Sequence, residues 1–457
     1  MQRSLNSFDS LRSIKKNPVP NAAAVINKEA ELPQDCFQHV QLSHKNSLFS
    51  TESCLILLNK NQTMPFRGAI TLLVVRGSVQ SAGFTIQEGQ VHELYSSATD
   101  SLLSVSCSDE TNHSGEYTFS VNENLDSMMN SFQKQIKSNS KAALIYVTSN
   151  KTTKSCLRVE EVLPVLANCF GTDSSKDDFQ FHGFYPVLKL DKSTSILQIP
   201  RSWRDISIKL ISLPVPTIIC IAGNRNTGKS TFARYLSNRF ISIHKEVAFL
   251  DCDLGQSELT ISGAVSLHHL KSPLLGTNTF NLGCAFTHLR QPLHAAFIGN
   301  NTPQQDPDAY LARIFDLLGV YKETLSHLNL VVNTSGWIKG MGYDLLFHFI
   351  NKLQPNALVQ MHHFGEAASS LKNLPSEFVF EDFTVSHALV EAISTDTSTM
   401  IRNNKLNAAE QRQLTICSYF MKDLDEWTFD LSLSQVVPYV VGWDRFHIKF
   451  MYDEVFI

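Results

Sequence analysis

Residues 216–240 read PTIICIAGNRNTGKSTFARYLSNRF. Pro216 and Thr217 lead into an unbroken apolar run, Ile218 to Ala222, the pattern of a strand buried on both faces. Phe232, Leu236 and Phe240 then recur at helical spacing. Between strand and helix, Gly223-Asn224-Arg225-Asn226-Thr227-Gly228-Lys229-Ser230 fits G-x-x-x-x-G-K-[ST] without a mismatch. Glycines let the backbone wrap closely around a phosphate chain, with amide hydrogens pointing inward at a helix N-terminus. In such a loop Lys229 reaches the β- and γ-phosphates and Ser230 sits on Mg²⁺. Thr231 adds a hydroxyl near the α-phosphate. A nucleoside triphosphate is the expected ligand.

On either side of this stretch the pattern continues. Residues 246–251 (EVAFLD), 294–299 (HAAFIG), 328–333 (LNLVVN) and 357–361 (ALVQM) read as further buried strands, and 308–321 and 343–353 as helices. Strands alternating with helices predict an α/β unit with a mainly parallel sheet. Upstream, residues 36–107 show short apolar runs, including CLILL (54–58) and AITLLVV (69–75), separated by turn signals. That spacing predicts an antiparallel β-sandwich or barrel. ALIYV (143–147) reads as one more strand, and 159–170 as a short helix with Pro164 at its start or at a kink. The expected division is a disordered tail (1–34), a β-rich N-terminal domain (35–190), a P-loop domain (191–385) and a C-terminal domain (386–457).

The composition sets limits. The chain has 457 residues, 43% hydrophobic and 18% charged, which excludes a disordered or collagen-like chain. Lys plus Arg number 39 and Asp plus Glu 43, a net charge of −4, so no global positive field draws in nucleic acid. A polyanion must be met by a local patch. The nine cysteines include no CxxC pair, which fits free thiols in a reducing compartment. No apolar run reaches the ~18 residues of a membrane span, and the start lacks the apolar stretch of a secretory signal. A soluble intracellular protein without a membrane partner is expected. RSIKK (12–16) is a short patch of the nuclear-import type, although a solvated tail is the commoner fate of such a run.

Two further elements carry chemistry. Asp251-Cys252-Asp253-Leu254-Gly255-Gln256 closes the strand after the phosphate loop, 22 residues beyond Lys229. Carboxylates at i and i+2 on a strand end can divide the work, one holding hydrated Mg²⁺ and the other taking a proton from an incoming hydroxyl. An acidic turn or helix cap is the plainer fate of such residues. Asn333-Thr334-Ser335-Gly336-Trp337 closes a later strand. Many P-loop proteins carry a metal-linked Asp there; Asn333 is neutral, so the metal carboxylate must come from Asp251 or Asp253. Trp337 either anchors the core or offers its face to a nucleobase.

These segments, with LLG (274–276), NTSGWIKGMGYDLL (333–346) and AAEQRQLTICSYF (408–420), resemble the polynucleotide 5′-hydroxyl kinase family, and most closely its nucleolar pre-rRNA-processing branch. The similarity runs in order from about residue 197 to the end, and more loosely through the β-rich part. It implies a P-loop kinase domain flanked by a β-rich N-terminal and a small C-terminal domain. It also implies transfer of the ATP γ-phosphate to the 5′-hydroxyl of RNA during pre-rRNA spacer processing, in the nucleolus, beside a pre-rRNA endoribonuclease. Carried over position by position, Lys229 and Ser230 are the P-loop pair and Asp251 and Asp253 the acidic pair, followed by Gln256. Thr334, Gly336 and Trp337 belong to the clasp for the substrate's terminal nucleotide. Arg402 and Arg412, with Lys405, fall in the mobile basic lid. From 402 to 422 there are four basic residues and one acidic, in an acidic protein. The chain departs from the family pattern at Ser335, Ser262 and Thr277, where proline is usual.

The alternative is an RNA-processing scaffold in which bound ATP is structural and no phosphate moves. Retention of Lys229, both aspartates, Trp337 and the arginines favours the enzyme, since a structural nucleotide needs no acceptor-side base. A GTPase switch is weaker, because no guanine-reading NKxD-type motif follows the third strand.

Overall fold

The computed structural model describes residues 38–107, 123–139, 141–150, 179–188, 195–276, 288–363 and 406–420, with short strand pieces between 379 and 392 and a few isolated positions. The helix expected over 159–170, Arg402 and Lys405, and the strands expected toward residue 457 lie outside the described residues.

Ten N-terminal strands form one connected sheet. They are β1 (Gln38–His39), β2 (Ser47–Phe49), β3 (Ser53–Leu58), β4 (Gln62–Arg76), β5 (Ser78–Ser81), β6 (Phe84–Gln87), β7 (Val91–Ser96), β8 (Ser104–Cys107), β9 (Ala143–Ser149) and β10 (Phe184–Pro186). Every pairing is antiparallel except β1 on β4. The 15-residue β4 is shared along its length by β8, then β10, then β7 and β9. It therefore joins what would otherwise be two separate layers. Gly68 makes the crossing possible: at φ +125° it faces the Gly183 carbonyl, and an added Cβ would lie 2.0 Å from that oxygen. Helix α1 (Glu123–Ser138) covers one face, setting Leu125, Met128, Phe132 and Ile136 at i, i+3, i+7 and i+11 against Leu55, Leu57, Leu73, Leu144 and Tyr146.

The second sheet has seven strands in the order β14-β13-β12-β15-β11-β16-β19. Here β11 is Ile218–Gly223, β12 Val247–Asp251, β13 Ala264–Leu270, β14 His294–Phe297, β15 Leu330–Asn333, β16 Ala357–His363 and β19 Ser386–Ala392; β17 (Val379–Phe380) and β18 (Phe383–Thr384) pair separately. The five from β12 to β19 run parallel, and β13 and β14 add antiparallel. Helices cover both faces, as a parallel sheet demands. On one side lie α2 (Arg201–Ile211) and α3 (Lys229–His244), on the other α4 (Pro307–Thr324) and α5 (Met341–Leu353). Alternation divides β11 accordingly: Ile219 and Ile221 join Phe232, Leu236 and Phe240 of α3, while Cys220 and Ala222 join α4 and α5.

One expectation fails. HAAFIG is not buried: β14 is the sheet's edge strand, and Phe297 is 69% exposed. Its composition matches a core strand, but its place in the strand order leaves one side without a neighbour among the described residues.

The apolar core runs from the N-terminal sheet into the α3 face of the second. Asn238 of α3, fully buried, saturates its amide there. Its Nδ2 donates to the Ala82 and Leu274 carbonyls, both at 2.9 Å, and its Oδ1 accepts from the Leu274 amide at 2.7 Å. Among the described residues no helix is long and apolar enough to cross a membrane.

Candidate active site

Register brings the chemistry to one crest. Gly223 sits beside Met361, Ile221 beside Asn333, and Asp251 beside Asn333, all at the carboxyl ends of parallel strands, where open α/β sheets bind ligands. Loop 223–230 leaves β11 here and enters α3. Gly223 lacks a side chain for a steric reason: a Cβ would stand 2.3 Å from the Met361 carbonyl oxygen. Asn226 and Gly228 take left-handed conformations, φ 62° and 84°, which fold the loop back on itself. Gly228 caps a 16-residue helix without any side-chain hydrogen bond, so the first-turn amides of α3 are not taken by a capping side chain. Such an end accepts an anion.

Lys229 is 6% exposed, and its Nζ donates to the Asn224 carbonyl at 2.8 Å, inside the loop. Burial pushes its pKa down to about 8; Asp253 pulls it up, and Arg225 pushes it further down. Asn224 and Thr227 brace the turn, the Thr227 hydroxyl donating to the Asn224 carbonyl at 2.9 Å.

The two aspartates sit in different surroundings. Asp251 is fully buried; its Oδ1 accepts from the Asp253 amide (3.3 Å) and Asn333 Nδ2 (3.1 Å), and its Oδ2 from the Glu258 amide (2.6 Å). Burial outweighs these bonds and, helped by the charges of Asp253 and Glu258, pushes its pKa up to about 7. Asp253 is half-buried, and among the described residues only its Oδ1 is engaged, accepting from the Gly255 amide at 3.0 Å and the Gln256 amide at 3.1 Å. Gln256 takes part through its backbone, and its side chain is exposed.

Asn333 completes the crest. The same Nδ2 that donates to Asp251 lies 3.3 Å from Ser230 Oγ, so one amide links the P-loop hydroxyl to the buried carboxylate. A neutral residue therefore fits here as a connector. Among the described residues no group of three or more His, Cys, Asp or Glu forms a metal cage. Mg²⁺ is commonly bound through one or two carboxylates plus phosphates and waters. Ser230 with Asp251 or Asp253 is the donor set that would hold it.

Loop 333–337 also meets the P-loop. A Cβ on Gly336 would stand 2.6 Å from Arg225 Cγ and 2.9 Å from Arg225 Cα. Thr334 is pinned below, its hydroxyl donating to the Ile221 carbonyl at 2.8 Å. Trp337 is half-buried: it packs with the α4–α5 core, and Gly342 leaves room for its ring. One side of the indole is thus structural, as a core anchor would be. Arg412 lies half-buried on α6 (Ala408–Phe420), and no described hydrogen bond or ion pair ties it to Lys229 or the aspartates.

Sequence reasoning missed a polar cluster behind Asp251. Arg234, one turn into α3, places Nε 3.1 Å from Glu258 Oε1, and His288 Nδ1 lies 2.8 Å from the same oxygen. Arg234 also reaches His288 Nε2 (2.6 Å), Thr231 Oγ1 (3.5 Å) and Asp100 (3.5 Å). Burial raises the Glu258 carboxyl, but Arg234 and His288 outweigh it and hold the group below its ordinary range. Burial and Arg234 lower the His288 pKa, against the opposing pull of Glu258 and Asp100. The only local signal was a charge on an otherwise buried helix face. Glu258→Gln is expected to destabilise the chain by about 3 kcal/mol, the low end for breaking a buried pair because Asp100 still faces Arg234. Urea unfolding at neutral pH measures it; a loss below about 0.5 kcal/mol contradicts this account of the cluster.

The comparisons agree with this geometry. The family model described as mRNA cleavage and polyadenylation factor CLP1 P-loop matches residues 223–420. The model described as Polynucleotide 5′-hydroxyl-kinase NOL9, N-terminal domain, matches residues 43–182. Polynucleotide 5′-hydroxyl-kinase nol9 of Dictyostelium discoideum is 25% identical over 354 residues, 72% of this chain and 50% of that protein. Polynucleotide 5′-hydroxyl-kinase NOL9 of Danio rerio is 27% identical over 367 residues, covering 75% and 48%. Polynucleotide 5′-hydroxyl-kinase grc3 of Schizosaccharomyces pombe is 30% identical over 266 residues, covering 52% and 35%. The chain spans half or less of the length of these relatives. With a NOL9-type module preceding a Clp1-type P-loop, and Lys229, Ser230, Asp251 and Asp253 gathered on one sheet edge, this chain is similar in sequence and in the order of its parts to the polynucleotide 5′-hydroxyl kinases.

Proposed function

We propose that this chain transfers the γ-phosphate of ATP to the 5′-hydroxyl of an RNA end. The observation that carries the reading is the pairing of an uncapped P-loop helix with a half-exposed Asp253 whose charge acts on Lys229. Phosphoryl transfer needs positioning and charge neutralisation more than covalent help from the protein. The first-turn amides of α3 and Lys229 hold the phosphates, and Lys229 turns from the Asn224 carbonyl toward them. Asp253, with Oδ2 unengaged by any described bond, orients the acceptor hydroxyl and takes its proton. The 5′-oxygen then forms a bond to the γ-phosphorus as the bond to the bridging oxygen of ADP breaks. When bound, Mg²⁺ neutralises charge on the phosphates. Thr334, Gly336 and the exposed part of Trp337 receive the terminal nucleotide, and Arg402 and Arg412 supply the lid.

The finer assignments are proposals of the same kind, supported by the sequence resemblance: pre-rRNA spacer processing, a nucleolar site and a pre-rRNA endoribonuclease partner that produces the 5′-hydroxyl end. The test is to incubate the chain with γ-labelled ATP and a 5′-hydroxyl RNA oligonucleotide, alone and with such a nuclease. Label on the RNA supports the kinase. ATP binding with no label under either condition supports the structural-nucleotide alternative.

Lys229 adds a pH dependence. Its pKa of about 8 in the free chain lies below its ordinary 10.5, and bound phosphates stabilise its charged form. ATP affinity is therefore expected to be full below pH 8 and to weaken above it, approaching about tenfold per unit while the free lysine is deprotonated and the bound one is not. Calorimetric titration at pH 7 and pH 9 measures this. A pH-independent affinity removes Lys229 as the phosphate contact.

A further inference from the structure

The exposed edge strand β14 ends level with the aspartates. Asp251 pairs with Ser266 of β13, and Ser266 with Ala295 of β14. Two residues nearer the crest, Ala264 pairs with Phe297. Asp253 belongs to that row: the Ser257 hydroxyl lies 2.8 Å from the Asp253 carbonyl and 3.2 Å from the Ala264 carbonyl. Alternation sets the face. Ala248, Leu250 and Cys252 pack toward α4 and α5, and so do Ala296 and Ile298. Asp251 and Phe297 therefore point to the other face, that of α3.

A lone exposed apolar side chain is ordinary on a protein surface. Phe297, 69% exposed, differs in standing on a fixed mount beside the acidic turn. The Gly263 carbonyl accepts from the Ile298 amide at 2.8 Å and the Gly299 amide at 3.1 Å, and the Gly263 amide donates to the Leu254 carbonyl at 2.8 Å. A Cβ on Gly263 would stand 3.2 Å from Phe297 Cε2, and one on Gly299 3.7 Å from Cε1, so neither position puts a side chain on the ring. The loop beyond reaches the acidic turn. A Cβ on Gly255, whose amide donates to Asp253, would stand 3.0 Å from the Asn301 carbonyl oxygen. Residues 295–305 (AAFIGNNTPQQ) carry no charged side chain.

In phosphoryl transfer the attacking and leaving oxygens lie roughly in line, on opposite sides of the phosphorus. With the nucleotide at the end of β11, an acceptor met by Asp253 after β12 leads away from β11, across β13 toward β14. Two strand spacings are about 10 Å, roughly three stacked nucleotides at ~3.4 Å each. We propose that Phe297 is a stacking platform for a base of the acceptor RNA, about three nucleotides in from its 5′ end. This rests on the kinase reading for the direction of the strand.

Two arms test it, both on the full chain at one salt concentration. With a 5′-hydroxyl RNA decamer, Phe297→Ala is expected to raise KM about five- to twentyfold at unchanged kcat. With a 5′-hydroxyl dinucleotide, too short to reach β14, the change in KM stays under about twofold. Phe297→Leu keeps the apolar character without the ring and matches Phe297→Ala, whereas Phe297→Trp binds at least as well as the unaltered chain. Fluorescence anisotropy of a decamer dye-labelled at its 3′ end, without ATP, gives the same order of affinities. Equal losses on both RNAs, or no loss in Phe297→Ala, overturn the proposal. So does full affinity in Phe297→Leu, which would leave an apolar contact for another protein. If the unaltered chain binds the decamer but labels none, the kinase reading fails and the anisotropy order alone decides the platform. If it does not bind the decamer, the platform falls as well.

Discussion

Lys229→Ala is expected to lower the rate of phosphate transfer at least ~10²–10³-fold, the cost of removing one preorganised charge from a phosphoryl-transfer site. The reason lies in the loop before any ligand arrives. A lysine buried to 6% exposure, with its pKa pushed down to about 8, is held against the preference of its charged form for water. Its one described hydrogen bond is to a carbonyl of its own loop, Asn224. A lysine kept for stability would be expected to meet a carboxylate at hydrogen-bond distance; this one instead leaves a partner that phosphate oxygens can replace. The same substitution is therefore expected to leave the unfolding midpoint of the free chain unchanged or slightly raised. Label transfer and thermal unfolding of one preparation check both halves. Large destabilisation with transfer intact would make Lys229 structural.

Asp253→Asn is expected to lower kcat by ~10²–10⁴, the range for a positioned general base, while ATP affinity stays within about twofold. Asn keeps an oxygen to accept from the Gly255 and Gln256 amides, so the turn survives and only the proton acceptor is lost. Asp251 behaves differently. Both of its oxygens are taken by amides, and through Asn333 it reaches the Ser230 hydroxyl, so the metal side of the site is the role we propose for it. Asp251→Asn is thus expected to raise the Mg²⁺ concentration needed for half-maximal rate, a shift Asp253→Asn does not show. Steady-state kinetics across a Mg²⁺ series separate the two. Equal Mg²⁺ shifts in both variants would reverse or erase the assignment.

Much of this site was legible because its signals are local. The phosphate loop and its helix lie within residues 216–240, and the acidic pair is two residues wide. The alternation of β11 between two cores follows from strand periodicity alone. What stayed hidden depends on which strands become neighbours. Asn333 read as a lost carboxylate until its register beside Asp251 showed an amide serving two oxygens. Tyr310 meets Cys252 across 58 residues, and Arg234 meets His288 across 54. Nothing near either residue announces the contact. HAAFIG failed for the converse reason: its composition is that of a core strand, but sheet order put it at an edge. Trp337 was ambiguous in sequence and is divided in the fold, one side packed on α5 and the remainder open.

The most direct measurement is a structure of the chain with a non-hydrolysable ATP analogue, Mg²⁺ and a 5′-hydroxyl RNA end. The account predicts the triphosphate over the α3 N-terminus, Lys229 turned from Asn224 to the γ-phosphate, and an Asp253 oxygen within about 3 Å of the 5′-hydroxyl. Finding that hydroxyl beyond the reach of both Asp253 and Asp251, with nucleotide and RNA bound, would contradict it.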